Sequence, residues 1–85
     1  MKVTVHLGEP FWRTTGQREV VVSLTDRARV SDALAALIKR YPALAPDLSG
    51  REARPVIFLD DGEAALDSPL VEGAKLHVVW PVSGG

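Results

Sequence analysis

The sequence predicts an α+β fold, in which one main helix packs on one face of a mixed sheet of four to five strands. Three stretches alternate apolar and polar residues as half-buried strands do, at residues 3–7, 19–24 and 75–80. Between the second and third lies one helical stripe, at residues 30–41, with apolar residues every three or four positions. One such helix can cover one face of the sheet, so the chain has the elements of a single two-layer domain.

The first two strands are predicted to form an antiparallel hairpin. Alternation in residues 3–7 and 19–24 puts the apolar side chains of each run on one face. The connector between them, residues 8–16, contains Phe11 and Trp12. Because the two runs are adjacent in sequence, we expect a hairpin with a long loop.

The predicted helix ends before Pro42, because a proline ring cannot continue the helical hydrogen-bond ladder. Its start is less sharply marked: Ser31 and Thr25 are better N-cap residues than Arg29, since a hydroxyl can accept a backbone N–H bond. The apolar stripe consists of Val30, Leu34, Leu37, Ile38 and Tyr41.

The second half of the chain predicts a loop and two further strands. Residues 43–53 read as the loop, and the apolar run at 56–59 as a strand covered on both sides or facing a partner. A polar turn at 60–62 follows. Leu66 and Leu70 are expected to fill the core from a short connecting segment before the last strand.

This order of elements fits best, among several topologies, the ubiquitin-like β-grasp fold. We expect a β-grasp domain over residues 1–80 and a flexible C-terminal tail over 81–85. First and last strands are neighbours in that fold, so His6 and His77 are expected to lie close together. Trp80 has the inward parity of its strand and is expected in the core.

Composition narrows the function classes. The 85 residues are 46% hydrophobic with a net charge of −1, which argues against a nucleic-acid binder and against docking on an anionic membrane.

The N-terminus enters a strand pattern directly, so no signal peptide is expected and the cytoplasm is the predicted location. The absence of cysteine excludes disulfides and thiolate nucleophiles. With two histidines and no evident third ligand, no metal site is predicted.

Four side chains are candidates for partner docking. Phe58 and Val79 are expected to form an apolar patch on the sheet face away from the helix, and His77 lies on the same face. For Phe58 the alternative is core packing, and for His77 a plain solvent-facing position. Trp12, in the connector, is interpreted as a partner contact, since aromatic side chains are favoured interface anchors.

No catalytic constellation is evident, so an enzyme is not predicted. Asp60 and Asp61 read as a polar turn before Gly62 rather than as paired catalytic carboxylates. No glycine-rich phosphate loop and no Ser/His/Asp arrangement is present.

The C-terminal tail carries the most chemical information. It reads Pro81, Val82, Ser83, Gly84, Gly85, and two glycines without side chains can thread a channel that any Cβ would block. A carboxylate on Gly85 would be unhindered for attack on ATP, and a sulfur nucleophile could displace AMP from the resulting acyl adenylate. The alternative is an inert glycine-rich terminus or linker.

Nearly the whole chain resembles the MoaD/ThiS family of ubiquitin-like sulfur carriers, and most closely its MoaD branch, the small subunit of molybdopterin synthase. The segments LDSPLVEG at 66–73 and VVWPVSGG at 78–85 resemble the ending of that branch. The helix from VSDAL at 30–34 to YPAL at 41–44 resembles its helix, and TGQREV at 15–20 the entry to its second strand.

The resemblance implies a non-catalytic carrier. A ubiquitin-activating-type adenylyltransferase, which itself binds the ATP, would adenylate Gly85, and a sulfurtransferase would supply the sulfur of a thiocarboxylate. The tail would then enter a large molybdopterin synthase subunit, and the carrier itself would bind no cofactor. Three alternatives remain: a carrier for thiamin, tRNA thiolation or cysteine synthesis; a ubiquitin-like protein modifier; and an interaction domain with an inert tail.

Overall fold

The computed structural model describes residues 1–9, 11–48, 55–60 and 62–80. Its elements in chain order are β1 (Lys2–Leu7), α1 (Phe11–Thr15), β2 (Glu19–Ser23), α2 (Val30–Arg40), a 3₁₀ turn (Pro42–Leu44), α3 (Ala45–Leu48), β3 (Val56–Leu59), β4 (Gly62–Ala64) and β5 (Lys75–Val79). The predicted tail, 81–85, lies outside the described residues, as do Asp61 and residues 49–54.

The five strands form one mixed sheet in the order β2-β1-β5-β3-β4. β1 and β5 run parallel at its centre, and the remaining pairs are antiparallel. The α+β class and the ubiquitin-like β-grasp topology are therefore confirmed, with the first and last strands side by side as expected.

The core lies between α2 and the inward face of the sheet. Val3, Val5 and Leu7 of β1 are buried, as the alternation predicts. Of the predicted stripe, Val30, Leu34 and Leu37 are buried, while Ile38 and Tyr41 are partly buried at its margin. One helix face thus packs in the same core as the inward-facing residues of the sheet.

The ends of α2 differ in detail from the prediction. Arg29 is the N-cap residue, and neither Ser31 nor Thr25 takes that place. The Asp32 carboxylate accepts the backbone N–H of Arg29 at 2.7 Å, as the acidic residue of a capping box does. The N–H of Asp32, which a hydroxyl at the N-cap could accept, donates to the Arg29 carbonyl at 2.9 Å instead. After Tyr41 the chain continues as the 3₁₀ turn and α3, where a loop was expected.

Leu66 and Leu70 have different roles. Leu70 is 5% exposed and belongs to the core, as predicted. Leu66 is 44% exposed, so the expectation that it fills the core is wrong. Its backbone carbonyl accepts a hydrogen bond from Ser31 N–H at 2.8 Å, so this segment is tied to the start of α2 through its main chain.

Candidate functional site

The C-terminal end of β5 lies against the end of β1. The backbone N–H of Gly8 donates to the carbonyl of Val78 at 2.9 Å. A Cβ on Gly8 would lie 3.3 Å from both Val78 O and Val79 Cγ1, which is closer than ordinary van der Waals contact. Glycine at position 8 therefore permits the close approach between the end of β1 and the end of β5, immediately before Trp80.

A short helix braces the same end of the sheet. α1 begins at Phe11, and its Trp12 N–H donates to the Gly8 carbonyl at 3.2 Å. Phe11 is fully buried, and its ring meets that of Trp80 at 5.9 Å in a tilted arrangement. Trp80 is partly buried and packs against the core, as its parity predicts. Gly8, Phe11, Val78 and Trp80 thus lie together where the described part of the chain ends, and we call these four residues the tail base.

Two arginine side chains lie against the indole ring of Trp12, beside the tail base. The Cζ atom of Arg13 lies 4.9 Å from the centre of the indole ring, and that of Arg18 lies 4.6 Å from it. Arg13 also pairs with Glu9 at 2.7 Å, one helical turn earlier. We call Trp12, Arg13 and Arg18 the Arg–Trp cluster. The docking role predicted for Trp12 stays a prediction.

A row of side chains crosses the sheet face opposite α2. The strand registers align Glu19, His6, His77, Phe58 and Glu63, one from each strand. His6 Nδ1 lies 3.7 Å from Glu19 Oε2, and the His6 and His77 rings stack with centroids 4.6 Å apart. The predicted proximity of the two histidines is thus confirmed.

Phe58 is 39% exposed on this open face, which agrees with the patch interpretation and not with core packing. Ile57, the next residue, is 4% exposed and faces the core. Val79 is half-buried and aligned with Val56. The structure therefore places Phe58, His77 and Val79 on one face, next to the tail base, while their docking role stays a prediction.

A separate cavity of about 360 Å³ opens beside α2 and β3. Every residue that lines it is apolar, so it offers no acid, base or nucleophile. Its lining consists of Leu34, Leu48, Pro55, Ile57, Ala64, Ala65 and Leu66. No pattern in the sequence pointed to this cavity, because its walls come from four separate segments.

Neither a metal centre nor a membrane span is found in the described part of the chain. Among residues 1–9, 11–48, 55–60 and 62–80, no three histidine or acidic side chains are grouped so that they could hold a metal ion. Within the same ranges, no helix has the length and apolar character needed to cross a bilayer.

Comparison with solved structures reveals close structural similarity to small ubiquitin-like proteins. The small archaeal modifier protein 1 of Haloferax volcanii superposes with a TM-score of 0.90 at 29% identity, over 100% of both chains. A Pyrococcus furiosus protein described as molybdopterin converting factor subunit 1 gives 0.84 at 24% identity, over 96% of this chain and 99% of that one.

A third similar structure is a complex of subunits 1 and 2 of the molybdopterin-converting factor from Helicobacter pylori, with a TM-score of 0.64 at 23% identity over 100% of both chains. No protein-family model and no curated protein matches the sequence. The neighbours thus include both modifier and converting-factor proteins, and they support the broad MoaD/ThiS-like group without selecting its molybdopterin branch.

Proposed function

We propose that this protein is a ubiquitin-like sulfur carrier whose C-terminal Gly85 is adenylated and converted to a thiocarboxylate. The observation that carries the proposal is the tail base: β5 ends against Gly8 and Phe11, and the sequence that leaves it ends in Gly84 and Gly85. A rigid domain joined to a segment that ends without side chains suits delivery of a carboxylate into a partner's channel.

The chemistry needs two balanced steps. A carboxylate oxygen of Gly85 attacks the α-phosphorus of ATP, and pyrophosphate leaves to give an acyl adenylate. A hydrosulfide equivalent then attacks the acyl carbon, and AMP leaves with the bonding electron pair. The product is a thiocarboxylate, whose sulfur can attack an electrophilic acceptor. Water then adds to the acyl carbon and the carbon–sulfur bond breaks, so the sulfur stays on the acceptor and the Gly85 carboxylate is restored.

Every catalytic group for these steps is assigned to partners. The adenylyltransferase binds the ATP, a sulfurtransferase provides the sulfur, and the carrier supplies the carboxylate and the docking surfaces. The cavity beside α2 has an apolar lining, which suits packing rather than nucleotide binding. The carrier is therefore proposed to act as a protein substrate in the cytoplasm, without a bound cofactor.

The pathway that we propose is molybdopterin synthesis, in which the carrier is the small subunit of the synthase. Support comes from the resemblance of the segments at 66–73 and 78–85 to the MoaD ending. The structural neighbours also include a molybdopterin-converting factor in which subunit 1 is bound to subunit 2. In this proposal the tail enters a large synthase subunit, and the open face around Phe58 contributes to docking.

A ubiquitin-like protein modifier is the second candidate, because the Haloferax volcanii neighbour is named a modifier. Both functions begin with the acyl adenylate and differ in the nucleophile that follows. A sulfur nucleophile gives the thiocarboxylate, whereas a lysine amine gives an amide bond to another protein.

The test is the intact mass of the protein after incubation with ATP, sodium sulfide and its adenylyltransferase. We expect a mass gain equal to the replacement of one oxygen by sulfur, located on the C-terminal peptide. Omission of ATP is the matched control and should abolish the gain. Addition of the large synthase subunit and the pterin precursor should then return the carrier to its original mass.

Three other outcomes are informative. An unchanged mass, with an adenylyltransferase that activates its known carrier, would contradict the carrier function. A thiocarboxylate that persists with the pterin precursor but is consumed by a different sulfur acceptor would contradict the molybdopterin pathway alone. Covalent adducts with lysines of other proteins would support the modifier function.

A further inference from the structure

We propose that the Arg–Trp cluster binds a surface carboxylate of the adenylyltransferase that takes up the C-terminal segment, with Arg18 as the main contact. The inference rests on the proposed function and deepens it, because it assigns a recognition surface outside the tail and the open face. It concerns a surface carboxylate of a protein, positioned at the rim of the channel into which Gly84 and Gly85 pass.

The position of the cluster carries the first step. Trp12 follows Phe11, whose ring contacts Trp80 at the point where β5 ends. The backbone carbonyl of Arg18 accepts the N–H of Leu7 at 2.8 Å, so Arg18 lies at the same end of the sheet as the tail base. A partner that binds the segment after Trp80 must therefore approach the cluster.

Arg18 is available for a new ion pair. Among the residues that the structure describes, no carboxylate lies within 4.0 Å of its guanidinium, whereas Arg13 is already paired with Glu9. The indole of Trp12 lies 4.6 Å from the Arg18 guanidinium carbon and restricts its position. A guanidinium group held near an aromatic ring still offers N–H donors for a bidentate carboxylate contact, and its restricted position reduces the entropy lost on binding.

The surrounding charges favour a single carboxylate over an extended polyanion. Glu9 lies beside Arg13, and Glu19 follows Arg18 directly in sequence, so negative charges flank the cluster. The chain as a whole has a net charge of −1, which provides no basic field for a nucleic-acid backbone. A discrete acidic side chain needs only the one guanidinium of Arg18, whereas an extended polyanion needs several basic groups, and Arg13 is already paired with Glu9.

The test uses full-length protein in the adenylation assay, with initial rates of pyrophosphate release measured against carrier concentration and, separately, against ATP concentration. For Arg18→Ala we expect the KM for the carrier to rise about tenfold, with kcat unchanged within about twofold, because a docking contact is lost and the reacting carboxylate is not. Raising the ionic strength should reduce the difference in carrier KM between Arg18→Ala and the unaltered protein, since an exposed charge pair is screened.

Two variants control the assay. Lys2→Ala removes the same charge at the opposite end of β1 and should leave the KM near that of the unaltered protein. Arg18→Lys keeps the charge but loses the planar guanidinium group, so its KM for the adenylyltransferase should lie between those of the unaltered protein and Arg18→Ala. Circular dichroism and urea titration of each variant establish that the fold is retained.

Each outcome decides the matter. An unaltered protein that is not adenylated at all overturns the proposed function, and the inference falls with it. Normal adenylation of the unaltered protein with an unchanged carrier KM for Arg18→Ala overturns the inference alone. A raised KM for ATP in place of the carrier would show that the cluster contacts the nucleotide phosphates, and this too contradicts a protein carboxylate as its ligand.

Discussion

His6 and His77 stack face to face across the parallel strands β1 and β5, with ring centroids 4.6 Å apart and ring planes within 10° of each other. The pair lies at the centre of the sheet face that α2 does not cover. Phe58 is the next side chain across the sheet from His77 and is 39% exposed. The middle of the open face is therefore occupied by three flat rings, with Glu19 and Glu63 at the two ends of the row.

This ring surface predicts a docking role that a single substitution can test. Phe58→Asp should weaken binding to the partner at least about tenfold, because a charge replaces an exposed aromatic contact. The free energy of unfolding should fall by less than it does when a fully buried side chain is truncated, since Phe58 is 39% exposed. Isothermal titration calorimetry with the adenylyltransferase or the large synthase subunit measures the binding.

The matched control for Phe58 is Val71→Asp. Val71 is also an exposed apolar residue, at 66%, but it precedes the turn that pairs with the start of β1. It therefore lies at the opposite end of the sheet from the tail base. Equal loss of affinity in both variants would contradict a specific role for the open face.

The tail variants test the chemistry rather than the docking. Gly84→Val should block adenylation or sulfur transfer by more than about tenfold, because a branched side chain cannot pass through a channel shaped for glycine. Deletion of Gly85 should abolish the reaction. Thermal unfolding of both variants should match that of the unaltered protein, since every core residue that the structure describes comes before Val79.

Ser83→Ala is the matched control for the tail, because it changes a side chain by one oxygen and adds no bulk. We expect it to be adenylated at nearly the normal rate, as judged by pyrophosphate release. A Gly84→Val variant that reacts as fast as Ser83→Ala would count strongly against the threaded-tail mechanism.

The parts of the fold that the sequence predicts are those with a repeated pattern. The α2 stripe spans three turns, and Leu34 and Leu37 are buried as its period requires. The contact between His6 and His77 follows from the parallel pairing of the first and last strands together with a register that places the two residues opposite each other.

Short elements have no period to detect, and this accounts for most of the errors. α1 has five residues, so Phe11 and Trp12 read as a connector, although Phe11 is fully buried. The Arg–Trp cluster was not predicted as a unit. Arg18 reaches Trp12 because the chain turns between α1 and β2, and the sequence has no periodic pattern that reveals this. Leu66 is apolar but exposed, and nothing in its local sequence distinguishes it from the buried Leu70.

Leu37→Ala tests the packing of α2. Leu37 is fully buried, so its truncation should lower the free energy of unfolding by about 2–5 kcal/mol through lost burial and an unfilled cavity. Leu66→Ala is the matched control, because it deletes the same atoms from a side chain that is 44% exposed, and it should cost much less. Urea titration at equilibrium measures both, and similar losses would contradict the assignment of Leu37 to the core.

Gly8→Ala tests the close approach of β1 and β5 at the tail base. The added Cβ would lie 3.3 Å from Val78 O and from Val79 Cγ1, so the strand ends must separate slightly. We expect a loss of about 1–3 kcal/mol in the free energy of unfolding, as for other overpacked sites.

Gly62→Ala is its counterpart at the start of β4, where a Cβ would meet no atom within 4 Å and the backbone is not in the left-handed region. There the alanine restricts the unfolded chain and should raise the free energy of unfolding by about 0.4–1 kcal/mol. Opposite signs in the two urea titrations would show that the space around Gly8, rather than the general effect of glycine replacement, sets the result.

Because Val79 is the last residue of β5, a Gly8→Ala variant that loses stability should also be adenylated more slowly below its unfolding transition, whereas Gly62→Ala should react normally.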